Sequence, residues 1–409
     1  MQTAARAAAI LLAFSVQIST ALDGVLTGLL LVFGLLGFGP EAWRILWTHP
    51  AARATGLLFG MLAFAQLYSP APWREAVGTL GKYADLALIP VFFAVFRQPV
   101  LREAAQKIFL WASGLVLILS LALWLGWLPH KSWMWAGATS ANPAVFRSYL
   151  TQGVFLSFAT FIALLRLREP VVLHVRISLS VLAAAAMFNI LFLLQGRTGF
   201  AMLFILLGWF GWSTLVRSMA QRGKLIGAVW LLVLAAFSIG VVAALYQFSP
   251  RMHERIQAVE SEWRSWEPGK ASPTSTGQRL EFYSHTLQIV RAHPWFGVGT
   301  GGFVAAYAEL VRGTEIPVAH HPHNEYLLIA AQTGMVGLAL LLWMFYRLWK
   351  IAPELPTPLE QDAVRGLVLA TMVNCLFNSA LHDHADGLFF ALMVGVFCAG
   401  WRPPQGARA

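Results

Sequence analysis

Residues 325–347, EYLLIAAQTGMVGLALLLWMFYR, decide what kind of protein this chain is. No charged side chain lies between Glu325 and Arg347, and a helix of about 20 apolar residues crosses the hydrocarbon core of a bilayer. The whole chain agrees, since 58% of its 409 residues are hydrophobic and only 12% are charged. A soluble protein of this size needs far more charge on its surface. The sequence therefore predicts a polytopic membrane protein.

Similar apolar runs occur along most of the chain, separated by charged residues or by proline and glycine. The predicted fold class is all-α, with about twelve transmembrane helices and one mainly helical loop domain outside the membrane. The candidate spans are residues 5–21, 24–39, 54–69, 83–97, 108–128, 148–165, 177–195, 199–216, 224–247, 325–347, 363–381 and 386–401.

The positive charges indicate an orientation. With a cytoplasmic N-terminus, the inside segments hold 17 Lys and Arg residues and the short outside loops hold 5. The other 7 lie in one long segment, which the positive-inside rule discounts. We therefore expect both termini to be cytoplasmic. The net charge of +10 follows this loop pattern, and no basic cluster is interleaved with aromatic residues as a nucleic-acid site requires.

This topology divides the chain into three parts. Residues 1–247 hold the first nine spans, 248–324 form the outer loop domain, and 325–409 hold the last three spans and a short cytoplasmic tail. The loop domain ends in a glycine-rich stretch, HPWFGVGTGGF (293–303), which lacks the Lys-Ser/Thr ending and the preceding strand of a nucleotide P-loop. We expect tight backbone turns against neighbouring helices there.

Four polar residues are predicted at the outer membrane–water boundary: Arg147, Arg197, Arg279 and Tyr283, the last two on one face of a helix. Guanidinium groups match phosphate oxygens bidentately, so a set of arginines there is suited to a phosphate-bearing anion. A single interfacial arginine can instead extend to lipid headgroups. Arg197 fits that alternative less well, because it lies in a short turn between glycines.

The histidines before residue 325 allow three interpretations. A neutral imidazole can take a proton from a hydroxyl, with Asn324 orienting His323 or a substrate. A metal site would instead need convergence with the second outer group, His382, Asp383, His384 and Asp386, and the spacing does not favour it. The third interpretation is that the histidines only cap a helix at the interface.

Two stretches together resemble the signature region of the O-antigen ligase and O-antigen polymerase superfamily. They are GQRLEFYSHTLQIVRAHPWFGVGTGGF (277–303) and HHPHNEYLLIAAQTGMVGLALLLWMFY (320–346). The resemblance rests on an arginine and aromatic residues on a helix, then His-Pro-x-x-Gly-x-Gly, then His-Asn before a helix. The twelve-span layout also suits the family.

The resemblance implies a bacterial inner-membrane glycosyltransferase with its active site at the periplasmic face. The donor would be a glycan on undecaprenyl diphosphate and the acceptor lipid A–core oligosaccharide, without cofactor or metal. The family pattern implies His323 as the catalytic histidine with Asn324 beside it, and Arg147, Arg197, Arg279 and Tyr283 at the diphosphate. His320, His321, His382 and His384 have no assigned role. We expect a monomer surrounded by membrane lipids, with no nucleic-acid partner.

Two alternatives stay open. An O-antigen polymerase or a pilin O-oligosaccharyltransferase of the same superfamily shares the donor chemistry, and the motifs separate these poorly from a ligase. A transporter belongs to a different class and would need charged residues near the middle of the membrane. The middles of the predicted spans are nearly free of charge, which counts against it.

Overall fold

A computed structural model describes residues 1–40, 44–222, 261–264, 266–267 and 269–402. The described residues form helices joined by turns, with no β-strand among them. The helices are α1 (Gln2–Ser15), α2 (Thr20–Gly37), α3 (Ile45–Thr48), α4 (Pro50–Phe64), α5 (Trp73–Lys82), α6 (Asp85–Val95), α7 (Pro99–Trp124), α8 (Tyr149–Arg166), α9 (Leu173–Phe188), α10 (Arg197–Arg222), α11 (Ser275–Ala292), α12 (Phe303–Leu310), α13 (Glu325–Ile351), α14 (Pro358–Phe377) and α15 (His384–Cys398).

Seven helical segments in the described part of the chain are long and apolar enough to cross a membrane. They are Thr20–Gly37, Trp73–Val95, Pro99–Trp124, Tyr149–Arg166, Leu173–Leu193, Arg197–Ala220 and Glu325–Glu354. At a rise of 1.5 Å per residue, the shortest of these is about 27 Å long and the longest about 45 Å. The fold is therefore that of an all-helical membrane protein, as the sequence predicts.

The count of twelve spans stays a prediction. The ninth predicted span, 224–247, lies outside the described residues. Helices α1, α4 and α15 coincide with predicted spans but have only 14 or 15 residues. Helix α14 has 20 residues and carries three charged side chains in its first half, Glu360, Asp362 and Arg365.

Helix α15 lies at the centre of the core. Every residue from Ala385 to Cys398 is buried, and α15 packs against α6 and α14. Its Phe389 ring lies 4.7 Å from Phe155 and 5.3 Å from Phe158, measured between centroids, which joins it to α8. A short helix can be fully covered in this way because longer helices surround it, so it presents only its ends to polar surroundings.

The end of the bundle opposite residue 323 is tied by ion pairs. Arg102 pairs with Glu360 at 2.7 Å, and Arg168 and Arg217 both pair with Asp362, at 2.8 and 2.7 Å. Helix α14 runs from Glu360 at this end to Leu376 beside residue 324 at the other, about 24 Å away. All three arginines belong to segments predicted to be cytoplasmic, and the side they face stays a prediction.

The glycine-rich stretch packs against a break in α13. Gly334 has φ 66° inside α13, and the freed backbone groups bond to the loop: Val298 N donates to Ala331 O and Gly299 N to Gln332 O, both at 2.9 Å. A Cβ on Gly334 would lie 2.1 Å from the carbonyl of Trp295. The prediction of tight backbone turns is confirmed, because Gly297, Gly299 and Gly301 also have positive φ.

Gly334→Ala is therefore expected to lower stability strongly. The positive φ alone costs about 1–3 kcal/mol for a residue with a Cβ, and the overlap with Trp295 adds to it. The measurement is thermal melting of the purified protein in detergent. Gly28→Ala is the control, because its Cβ would meet nothing within 4 Å, and it should melt like the native protein. Equal melting temperatures for the two variants would contradict the role given to the break in α13.

Candidate active site

His323 has an unusual backbone conformation. It is the one non-glycine residue with positive φ (54°) among the residues that the structure describes. Such a conformation costs free energy and persists only where surrounding contacts fix it, which is common at functional sites. Here the His321 Nδ1 accepts a hydrogen bond from the His323 N–H at 3.3 Å, and the two rings lie 4.3 Å apart.

Helix α11 lies over this histidine. The Tyr283 hydroxyl donates to the carbonyl of His323 at 3.4 Å and lies 3.3 Å from the carbonyl of Leu376, and the Phe282 ring stacks on the His323 ring at 6.2 Å. Arg279 is one turn before Tyr283 on the same helix and interacts electrostatically with both Tyr283 and His323. The structure thus brings together three residues that the sequence predicts at one site.

The environment keeps the His323 ring neutral. Burial, together with the nearby His321 and Arg279, which disfavour a second positive charge, lowers the pKa of His323 to about 4. The ring is therefore uncharged at pH 7, as a general base requires. Arg279 has no hydrogen-bond partner among the described residues, so its guanidinium is available to an anion beside this ring.

Arg197 belongs to the same group. It is exposed at the first position of α10, and its Nη1 donates to the Thr276 hydroxyl at 3.2 Å. Thr276 lies three residues before Arg279 in α11, so Arg197 and Arg279 are beside the same short stretch of helix. Close approach of α8 and α10 positions Arg197, since the Cα of Gly153 lies 3.2 Å from where a Cβ on Gly199 would stand.

Asn324 caps α13. Its Oδ1 accepts from the Leu327 N–H at 3.0 Å, and its Nδ2 donates to the Leu376 carbonyl at 3.1 Å. Asn324 and Tyr283 therefore hold the same carbonyl of α14. The side chain thus makes contacts within the protein, so the arrangement fits a residue that fixes the start of α13, and a contact of Asn324 with substrate stays a prediction.

Arg147 differs from the other two arginines. Its Nη2 pairs with Asp23 at 2.5 Å, its Nε donates to the Val16 carbonyl at 3.0 Å, and its Nη1 donates to the Thr20 hydroxyl. It is 9% exposed and Asp23 is fully buried. The structure thus uses Arg147 to hold the turn between α1 and α2, because a buried carboxylate needs a partner. Its contact with a diphosphate stays a prediction.

A buried carboxylate, Glu325, joins the segments around the site, and no sequence pattern predicts this role. Glu325 is fully buried and accepts hydrogen bonds from the Tyr83 hydroxyl (2.9 Å) and from the N–H groups of Leu381 (2.9 Å) and His382 (3.3 Å). It joins the start of α13 to the α5–α6 turn and the loop before α15. In sequence, a glutamate at the first position of a helix indicates only a favourable dipole contact with solvent.

The same contacts bring the unassigned histidines close to the site. The His382 ring lies 5.8 Å from His321 and 5.5 Å from Tyr83. Burial, together with the charges of Lys82 and His321, lowers the pKa of His382 to about 3. Lys82 also lowers the pKa of His321. In sequence, Lys82 is one of the five basic residues of the short outside loops and indicates only topology, so no pattern predicts this second cation beside the histidines.

The histidine and aspartate pairs do not form a metal centre in the described part of the chain. His384 Nδ1 lies 3.3 Å from Asp85 Oδ2, and the buried Asp386 accepts from Asn374 Nδ2 at 2.9 Å. No three His, Cys, Asp or Glu side chains among the described residues are placed to hold one ion.

The buried pair gives a test of the role of Arg147. Arg147→Gln should lower stability by about 3–5 kcal/mol, because Asp23 stays buried without its partner. The double variant Asp23→Asn/Arg147→Gln should recover part of this loss, and the exposed Arg197→Gln should melt like the native protein. Melting in detergent measures all three. Unchanged stability of Arg147→Gln would show that Arg147 is free for another role.

Comparison with known proteins gives one family. A family model described as O-antigen ligase matches residues 182–342, which is less than half of the chain. The matched stretch includes five of the predicted site residues, Arg197, Arg279, Tyr283, His323 and Asn324, and excludes Arg147. The match confirms the resemblance to the O-antigen ligase superfamily. No curated protein matches the chain.

Proposed function

We propose that this protein is an O-antigen ligase, which transfers a glycan from undecaprenyl diphosphate to lipid A–core oligosaccharide at the periplasmic face of the inner membrane. The observation that carries the proposal is the placement of Arg279 one turn from Tyr283, on the helix that bonds to the backbone of His323. A neutral base therefore interacts with a cation that has no hydrogen-bond partner among the described residues, just before a helix long and apolar enough to cross a membrane, and both lie within the stretch that the O-antigen ligase family model matches.

The proposed reaction is an inverting, metal-independent transfer. An acceptor hydroxyl oxygen attacks the anomeric carbon and forms the new C–O bond, while the bond from that carbon to the diphosphate oxygen breaks. His323 takes the hydroxyl proton, and the electron pair leaves with the diphosphate. Arg279 and Arg197 stabilise the negative charge that grows on the leaving group. Tyr283 and Asn324 position His323 through its carbonyl and the start of α13.

Arg279 also gives this base a way to respond to the donor. In the free site the pKa of His323 is about 4, which makes the ring a weak base. A bound diphosphate would offset the charge of Arg279 and add negative charge nearby, and both effects raise the pKa of an imidazole. His323 thus gains basicity when its substrate is present.

Other members of the superfamily share this donor chemistry. A polymerase joins O-units to each other, and a pilin O-oligosaccharyltransferase uses a protein acceptor. Lipopolysaccharide from a deletion strain separates these cases. A ligase predicts core without O-chain while the lipid-linked polymer is still made, whereas a core carrying a single unit indicates a polymerase.

His323→Ala is expected to lower transfer by about 10²–10⁴-fold, the usual contribution of a general base. The measurement uses protein reconstituted with purified donor and acceptor, with and without chelator. His320→Ala is the matched control, because His320 is exposed and its ring is not part of the His321–His323 contact. Full activity of His323→Ala would contradict the assignment, and loss of native activity with chelator would contradict metal independence.

The pH dependence tests the response of His323 to its donor. The neutral, active ring exists above its pKa and is lost as the pH falls through it, so the acid limb of kcat/KM should lie near pH 4. The acid limb of kcat reports the donor complex and should lie at higher pH. Arg279→Gln should move the kcat/KM limb upward, because it removes one cause of the lowered pKa. If the acid limbs of kcat and kcat/KM coincide, and Arg279→Gln moves neither of them, the proposed effect of the donor on the pKa of His323 is contradicted.

A further inference from the structure

An exposed aromatic patch lies where the glycine-rich stretch meets α4 and α5. It consists of Tyr68, Trp73, Trp295 and Phe296, and the last three are 68%, 69% and 55% exposed. The Tyr68 hydroxyl donates to the Phe296 carbonyl at 2.7 Å. Trp73 begins α5, which packs on the same stretch, since a Cβ on Gly301 would lie 2.8 Å from the Cα of Ala76. Exposed apolar groups gathered in this way mark a contact surface.

The exposed face of α13 begins at this patch. All residues from Glu325 to Gly334 are buried or half-buried. Beyond the break in the helix, the exposed residues recur on one helical face: Met335, Ala339, Leu342, Tyr346 and Lys350. The first charged residue on this face is Lys350. The N–H groups of Met335 and Val336 donate to the carbonyls of Pro294 and Trp295, at 2.8 and 3.4 Å. The face therefore starts beside the patch.

Helix α4 repeats this arrangement. It packs against α13 and continues into a 3₁₀ turn, Ala65–Tyr68. The exposed residues of α4 and of this turn also lie on one face: Arg53, Gly56, Leu57, Gly60, Phe64, Leu67 and Tyr68. All of them except Arg53 are uncharged, and the face ends in the patch at Tyr68. Two adjacent helices thus present apolar faces that run from one basic residue to the same aromatic patch.

The length of the two faces fits a bilayer. Arg53 to Tyr68 and Met335 to Lys350 each span about 22 Å along the helix. The basic stems at one end and the aromatic rings at the other extend past their Cα atoms, so each face approaches the roughly 30 Å of a hydrocarbon core. Trp and Tyr side chains collect where that core meets the headgroups.

The charged residues beside the patch suit a headgroup layer. Arg74 follows Trp73, and Arg291 lies four residues before Trp295; both are exposed. Arginines in such a position can reach the phosphate oxygens of lipid headgroups. The exposed Glu75 is two residues after Trp73, about 200° around α5, so it lies on the other side of that helix. These charges belong to α5 and α11 and leave the apolar faces of α4 and α13 uninterrupted.

From this combination we infer that the aromatic patch contacts the headgroup boundary of the membrane on the side of His323, with hydrocarbon along the exposed faces of α4 and α13. The crossing by α13 then begins at Met335, ten residues after the start predicted from the sequence. Glu325 lies about 15 Å along the helix from that boundary. The candidate site is thus on the water side of the headgroups, where the sugar of a lipid-linked diphosphate begins. This last step rests on the proposed function, and the boundary itself does not.

Spin labels on introduced cysteines measure this depth. Trp73→Cys and Trp295→Cys place a label in the patch, each leaving the other aromatic residues intact. Leu342→Cys places one halfway along the exposed face of α13, and Glu315→Cys places one in the exposed loop after α12. Both native cysteines are buried, so the introduced thiol is the one labelled. The full-length protein is reconstituted in phosphatidylcholine vesicles. Access of each label to oxygen, which dissolves in hydrocarbon, is compared with access to a water-soluble nickel chelate.

We expect both patch labels at the headgroup boundary and the Leu342→Cys label about 9 Å deeper, because Leu342 is six residues beyond the contact between Val336 and Trp295. The Glu315→Cys label should favour the nickel chelate. Patch labels as open to the chelate as this one would overturn the inference, because the patch would then be in water. Patch labels as deep as the Leu342→Cys label would also overturn it, because hydrocarbon would then extend above the break in α13. Donor and acceptor are left out, so neither result depends on the proposed transfer.

Discussion

The burial of one carboxylate determines the arrangement of the candidate active site. Glu325 is removed from solvent at the first turn of α13, and a buried charge or acid is tolerated only where its oxygens are hydrogen-bonded. Tyr83, Leu381 and His382 supply those bonds from two other segments. The start of α13, the α5–α6 turn and the loop before α15 are thereby fixed to each other. His323 lies two residues before this anchor, and its strained backbone is held from both sides.

The two ends of the bundle use polar groups differently. At the Arg102 end, three arginines are paired with acids: Arg102 with Glu360, and Arg168 and Arg217 with Asp362. At the His323 end, Arg279 and Lys82 have no hydrogen-bond partner in the described residues, and they add to burial in keeping His323 and His382 neutral. Unpaired cations beside neutral bases cost stability and are common at functional sites, and the diphosphate leaving group that we propose accounts for their presence here.

Sequence patterns predicted the parts of this site that depend on local spacing. Arg279 and Tyr283 are four residues apart on one helix, and the His-Asn pair precedes a long apolar run, so both could be placed before the structure was known. The roles of Arg147, Glu325 and Lys82 depend on partners far away in the chain, such as Asp23 for Arg147, 124 residues earlier. No periodicity reports such a pairing. Sequence patterns are also a poor guide to the number of spans. Short helices such as α15 are covered by longer ones, and in sequence they resemble ordinary core helices.

The central claim is that the diphosphate of the donor binds between Arg197 and Arg279, beside His323. The most direct measurement is a cryo-electron microscopy structure of the protein with a non-transferable undecaprenyl diphosphate glycan. The account predicts both guanidinium groups within hydrogen-bond distance of the phosphate oxygens, and the anomeric carbon facing the His323 ring across the space for an acceptor hydroxyl. A diphosphate bound elsewhere, with Arg279 and His323 both unoccupied, would contradict it.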